Sequence, residues 1–272
     1  MKKIFFSLVI LVSLGFLWFQ AGQFSKTRIK QTEQAASVLA ERKNSILRIA
    51  LVADSENDNE NLKKALDQAK GSGINFVIGL GDWSAVGTNK DLLAAKNVFD
   101  KSGLKYYITA GDHDLWDSRN RGEDALFNFI NVFGKPSHSI EENGVQIDIV
   151  DNSDIYKGIN DSDWQLLNQG LQKRPTTSRL VFVFSYKTPF HPQSAHVMGS
   201  ENEQVAQQAK KFMDLLEENR VDGFFAGDLH FFAEYKSPNQ AVKITTVGAV
   251  DNVRNFQGPR FAILTVYDDY SW

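Results

Sequence analysis

The stretch Ile46-Leu-Arg-Ile-Ala-Leu-Val-Ala-Asp-Ser-Glu56 decides the fold. Eight mostly apolar residues run straight into an acidic turn, the pattern of a strand covered on both faces. The phrase recurs twice: Ile74–Leu80 leads into Gly81-Asp82, and Tyr106–Ala110 leads into Gly111-Asp112-His113-Asp114. Between these runs, Asn57–Gly71 carries Leu62, Ala65 and Ala69 at helical spacing, and Asp91–Ser102 reads as a second helix. Strand–helix–strand–helix–strand alternation predicts βαβ crossovers and a sheet with helices packed on it. Each acidic group then falls at a strand's carboxyl end, where open α/β sheets gather their binding crevice. Parallel strands ~4.8 Å apart bring such carboxylates within bridging distance. Carboxylates that close repel unless they are protonated or share a cation.

Beyond Gly134 the pattern changes. Val145–Val150 follows the turn signal Glu142-Asn143-Gly144, and Arg179–Phe184 is another strand. Asp161–Lys173 and Glu201–Asn219 read as helices. The last third (Gly223–Ala226, Phe231–Lys236, Ala241–Val247, Arg260–Tyr267) reads as strands joined by tight turns. The run Gly223–Ala226 ends in Gly227-Asp228-Leu-His230. A single Asp after a strand is ordinarily a turn former or a helix N-cap. Three in strand register, with a late Gly-Asp-x-His, point instead to one shared site.

These motifs, in this order, resemble those of the calcineurin-like metallophosphoesterases, whose pattern is D-x-H, G-D, G-N-H-D/E, a lone His before a proline, and G-H-x-H. Here the pattern reads Asp54-Ser-Glu56, Gly81-Asp82, Gly111-Asp112-His113-Asp114, Ser185-Tyr186-Lys-Thr-Pro189 and Gly227-Asp228-Leu-His230. The stretches Asn160–Asn168, Phe133–Pro136 and Asp151–Ser153 resemble the family's connecting segments, so the likeness spans nearly all of Ile46–Tyr267. The resemblance implies a four-layer α/β/β/α sandwich with its site at the sheet edges. It also implies a first metal held by Asp54, Glu56, bridging Asp82 and His230, and a second held by Asp82, Asp112, Asp228 and Tyr186. Glu56, Tyr186 and Asp228 stand where the family has histidine, and Asp112 where it has asparagine. All four replacements offer oxygen, which favours Mn²⁺, Mg²⁺ or Ca²⁺, with iron or zinc as alternatives.

In that reading a hydroxide activated by one or two divalent ions attacks a phosphomonoester or phosphodiester, and His113 assists the leaving group. Five carboxylates against two divalent ions leave the site about one charge negative. That balance repels a phosphate dianion and points to weak activity or to monoanionic diesters. The competing reading is a binding module on a degenerate phosphoesterase scaffold. A carboxylate-pair glycosidase has no support in the motif order.

Composition fits these expectations. The 272 residues hold 30 Lys and Arg against 33 Asp and Glu, a net charge of −3, which argues against a nucleic-acid binder that lives on phosphate contacts. With no cysteine, disulfide frameworks, thiolate zinc sites and cysteine nucleophiles are excluded. Residues 1–22 form a signal peptide or signal-anchor helix: Met1-Lys2-Lys3 precedes the apolar run Ile4–Phe19. Neither Phe19 nor Gln20 suits position −3 of a cleavage site, so an uncleaved helix crossing the membrane through residues 4–19 is expected, with the remainder outside the cytoplasm. Residues 23–45 read as a polar helical stalk, and 46–272 as a single domain whose partner is a small phosphate ester. Trp116–Glu123 and His191–Ser200 are the expected pocket walls. His191, His138 and His196 read as surface histidines, and Phe224, Phe225, Phe231 and Phe232 as sheet core. Gly79–Gly87 lacks the lysine of a phosphate-binding loop, and no Gly-x-Ser-x-Gly elbow exists.

Overall fold

The computed structural model describes residues 44–172 and 178–272. Strand β1 (Ser45–Val52) shows how the layers arise. Side chains alternate along a strand, so Leu47, Ile49 and Leu51 enter one core while Ala50 and Val52 enter another. The second core is filled by α1 (Asn59–Gly71) and α2 (Asn89–Ser102). Strand β2 (Phe76–Leu80) pairs in parallel with β1, and β3 (Tyr106–Thr109) pairs in parallel with β2. Strand β10 (Ala262–Tyr267) returns antiparallel on the far side of β1, giving the order β10-β1-β2-β3.

A short 3₁₀ turn (His113–Leu115) leads into α3 (Trp116–Asn120) and then α4 (Phe127–Phe133). The second sheet comprises β4 (His138–Glu142), β5 (Val145–Ile149), β6 (Leu180–Ser185), β7 (Gly223–Ala226), β8 (Ala233–Lys236) and β9 (Lys243–Thr246). Its order is β4-β5-β6-β7-β9-β8, parallel from β5 through β9, with antiparallel strands at both edges. Helices α5 (Asp161–Gln172) and α6 (Glu203–Glu218) cover its outer face through Trp164, Leu167, Phe212 and Leu216. The two sheets meet through Ile49, Leu51 and Ile78 on one side and Ile147, Phe182, Phe184 and Phe225 on the other. Three cores between four layers make the α/β/β/α sandwich.

Several boundaries differ from those expected, for local reasons. Helix α1 starts at Asn59, not Asn57, because Asp58 is its N-cap and Glu56 and Asn57 adopt positive φ in the preceding turn. Helix α2 starts at Asn89, two residues before the expected Asp91, because Thr88 caps it by accepting from the Asp91 amide. Strand β4 is polar and carries no apolar alternation; Asn143 and Gly144, both at positive φ, fold it onto β5 as a tight hairpin. Strand β8 begins at Ala233; Phe231 is half-buried and Phe232 exposed, and neither joins the sheet core with Phe224 and Phe225. The two helices expected in the second half are the crossovers that link β5, β6 and β7. The expected membrane helix and stalk lie outside the described residues. Among those described, no helix is long and apolar enough to cross a membrane.

Phe182 is fully buried and meets Phe225 and Trp272 edge-on between the sheets. Phe182→Ala is expected to cost about 3–5 kcal/mol of stability, read from chemical denaturation midpoints with an unchanged m-value.

Candidate metal centre

The ends of β1, β2, β3, β6 and β7 point toward one edge of the sandwich, and the loops leaving them are stitched together. The Asp54 amide donates to the Gly81 carbonyl (3.0 Å), the Glu56 amide to Asp82 O (2.9 Å) and the Gly227 amide to Tyr186 O (3.0 Å). The Asp228 amide donates to Asp54 Oδ1 (3.2 Å), which crosses from one sheet to the other. Among the described residues eleven non-glycine positions have positive φ, and five of them are Asp54, Glu56, Asp82, Asp228 and His230. Such conformations are sterically costly for L residues and persist where surrounding bonds over-determine them. Here they turn each side chain back into the crevice. Gly111 shows how tight the packing is: a Cβ there would lie 2.0 Å from Asp82 Oδ1.

The first cluster is Asp54, Asp82 and His230, with one potential ligand atom of each lying within 4.8 Å of the others. Asp54 and Asp82 are almost completely buried, and Asp54 Oδ2 has no hydrogen-bond partner. The His230 Nδ1 sits 3.2 Å from the Val253 carbonyl, so it carries the proton and leaves Nε2 as the free lone pair. That Nε2 lies 4.0 Å from Asp54 Oδ1 and 3.4 Å from Glu56 Oε1. Buried carboxylate oxygens without donors, facing an unprotonated imidazole nitrogen, are the donor set of a divalent cation. The residues present fit such an ion.

Two further residues complete this side of the site. Asp251 is 1% exposed, both its carboxylate oxygens lack partners, and it groups with Glu56 and His230. Arg254 donates to Glu56 Oε1 at 2.6 Å. Glu56 is therefore shared between an arginine and the cluster.

The other side is built differently. The Tyr186 hydroxyl lies 2.7 Å from Asp82 Oδ2 and 2.6 Å from Asp112 Oδ1. Lys187, also buried, places its Nζ 2.9 Å from Asp228 Oδ1, and His196 Nε2 reaches the same oxygen at 3.2 Å. Among the described residues, Asp112 and Asp228 join none of the groups whose ligand atoms lie within 4.8 Å of one another.

His113 stands at the mouth. Its amide donates to Asp82 Oδ1 (3.1 Å), and its Nδ1 lies 2.9 Å from the Ala85 carbonyl, which fixes the proton on that nitrogen. The ring stacks on Trp116 at 4.0 Å between centroids. A potential ligand atom of His113 groups with Glu56 and Asp82. Asp114 holds the loops beneath: it accepts from the amides of Ser84 and Gly111, both at 2.9 Å.

All the sequence-predicted site residues thus reach one edge of the sandwich, but Asp112, Asp228 and Tyr186 are engaged by protein groups. Lys187, His196, Asp251 and Arg254 were missed. Lys187 directly follows Tyr186 at a position with no ligand role in the motif, whereas Asp251 and Arg254 sit in a loop with no motif spacing. His196 is exposed as expected, yet its tip reaches Asp228 from the anticipated wall His191–Ser200. His138, expected at the surface, is half-buried and packs against Tyr107. His191 is a loop histidine whose Nδ1 accepts from the amides of Gln193 and Ser194.

A family model described as calcineurin-like phosphoesterase matches residues 47–232. A search among curated proteins finds no match. Among solved structures, a dimetal phosphatase from Danio rerio aligns with TM-score 0.63 and 14% identity, covering 83% of this chain and 94% of that one. The purple acid phosphatase PPD1 from yellow lupin (Lupinus luteus) seeds aligns with TM-score 0.56 and 13% identity, covering 79% of this chain and 45% of that one. GAP50, the anchor in the inner membrane complex of Plasmodium, aligns with TM-score 0.53 and 13% identity over 82% of this chain and 81% of that one. At these identities the likeness is one of fold.

Protonation separates the two sides. Burial, and then the Asp228 charge, push the Asp54 carboxyl well above its usual range; burial and then Asp112 do the same to Asp82. Burial and then Glu56 raise Asp251 to about 6. Burial would raise Asp228 as well, but Lys187 and His196 outweigh it and hold it at about 2. A carboxyl whose folded value is raised binds more protons folded than unfolded. Its contribution to stability is therefore full at low pH and is lost as pH rises from the unfolded value near 3.8 through the folded one. In chelator, the melting temperature should accordingly fall by several degrees between pH 4 and pH 7. Mn²⁺ should restore it at pH 7–8 and have little effect at pH 4–5, where protons hold the ligands. Thermal melts across that range, with and without the ion, check this.

Proposed function

The chain belongs to the calcineurin-like phosphoesterase family, and we propose that it hydrolyses phosphate esters at the cluster of Asp54, Asp82 and His230. The observation that carries this reading is the convergence of these three from β1, β2 and the loop after β7, with Asp54 Oδ2 buried and unpartnered. Glu56 and Asp251 stand beside them as further oxygen donors. A divalent ion bound there lowers the pKa of water and withdraws charge from a phosphoryl oxygen.

The protein's own groups position the rest. The Tyr186 hydroxyl sits between Asp82 and Asp112, donating its one proton to one of the two oxygens, and so fixes the pair. His113, oriented by Ala85 and Trp116, presents Nε2 at the mouth; as an imidazolium, with Nδ1–H held by Ala85, it gives its Nε2 proton to the leaving alkoxide and is left neutral. Arg254, largely exposed beside Glu56, offers a cation to the entering phosphate. The excess of carboxylates repels dianions, which favours monoanionic diesters over monoesters. The lysines at 2 and 3 and the apolar run Ile4–Phe19 support an exported, membrane-anchored chain with this domain outside the cytoplasm.

Full-length protein should hydrolyse bis-(p-nitrophenyl) phosphate in Mn²⁺ faster than p-nitrophenyl phosphate, and more weakly in Mg²⁺, Ca²⁺ or Zn²⁺. Asp82→Asn should abolish turnover, and His113→Gln should lower kcat by roughly 10²–10⁴-fold. Unchanged rates in Asp82→Asn, or none with any ion, would move the assignment to a non-catalytic binding module.

A further inference from the structure

We propose that this centre holds one divalent ion, and that the Lys187 ammonium, with the Tyr186 hydroxyl, permanently takes the place of a second. The inference rests on the phosphoesterase reading above and concerns the same site. The residues that would bind a second ion are Asp82, Asp112, Asp228 and Tyr186; three of the carboxylate oxygens already contact the Tyr186 hydroxyl or the Lys187 ammonium, and Asp228 Oδ2 is buried without a partner. One phenol oxygen sits within hydrogen-bonding distance of both Asp82 Oδ2 and Asp112 Oδ1, at 2.7 and 2.6 Å, in the space between the two carboxylates. Lys187 Nζ lies 2.9 Å from Asp228 Oδ1, and each of these side chains is only 2% exposed.

The lysine's backbone is pinned on both sides of its Cα. Its amide donates to Asn152 Oδ1 at 2.9 Å, and its carbonyl accepts from Asn152 Nδ2 at 2.7 Å. Its ammonium also faces the Tyr186 ring, 5.5 Å from the centroid. A fixed ammonium repels a divalent cation at close range where the surroundings are dry and poorly screening. It also neutralises Asp228, one of the carboxylates a second ion would need. The first side leaves more oxygens open, Asp54 Oδ2 and both of Asp251 against Asp228 Oδ2 on the second, and its cation, Arg254 on Glu56, is largely exposed. Lys187 is thus a positioning and charge-supplying residue: it provides a positive charge that cannot dissociate, so catalysis needs only one exchangeable ion.

The test is metal stoichiometry, measured on the full chain by equilibrium dialysis with elemental analysis and by electron paramagnetic resonance in Mn²⁺. Wild type should bind one Mn²⁺ with the six-line spectrum of an isolated ion. Lys187→Ala should bind two with a spin-coupled spectrum, and Lys187→Arg should stay at one. Two coupled ions in wild type, or a folded Lys187→Ala that still binds one, would overturn the inference. If Lys187→Ala does not fold, the wild-type stoichiometry decides alone. Two ions with hydrolysis would sink this inference and keep the phosphoesterase reading; one ion without hydrolysis would do the reverse; no ion would sink both.

Discussion

Like charge packed into a dry crevice is the constraint from which the rest of this structure follows. Asp54, Asp82 and Asp228 converge almost without solvent, with Glu56, Asp112 and Asp251 around them. An uncompensated buried carboxylate is among the costliest groups a protein can hold. The fold answers in two ways. On one flank it supplies its own buried cation, Lys187 on Asp228. On the other it leaves Asp54 and Asp251 with idle oxygens beside a neutral imidazole. The positive-φ turns at Asp54, Asp82, Asp228 and His230 show that the backbone is bent to keep these groups together.

Asp54 and Asp228 make the contrast plain. They are neighbours, equally buried, joined by the Asp228 amide on Asp54 Oδ1. Yet burial drives Asp54 toward its neutral form, while Lys187 and His196 overcome burial and keep Asp228 ionised at about 2. Environment, not residue type, separates a group waiting for a cation from one that already has its counter-charge.

The fold was largely legible because its signals are local. Branched apolar runs before acidic turns marked β1, β2 and β3, and the Asn143-Gly144 pair marked the hairpin that places β5. Strand β4 escaped because its side chains are polar, and edge strands need no apolar alternation. The site was legible where the donor is a strand-end acid, as with Asp54, Asp82 and Asp112. Lys187 was not, since a lysine after a strand is usually solvated, and its burial depends on Asp228, 41 residues later. Asp251 was invisible for a related reason: it enters the cluster through the pairing of its amide with the Asp54 carbonyl, a long-range contact that no spacing encodes.

The antiparallel pairing of β1 with β10 sets Ile49 opposite Leu264 and Ala50 opposite Ile263. A chain emerging from the ribosome therefore cannot close its first sheet until the last strand has been made. Asp54 and Asp82 meet through the pairing of β1 with β2 alone, whereas Asp251 joins them from the segment just ahead of that last strand, its amide on the Asp54 carbonyl. The Asp251 flank of the crevice is therefore complete only once the segment leading into β10 has folded back onto β1.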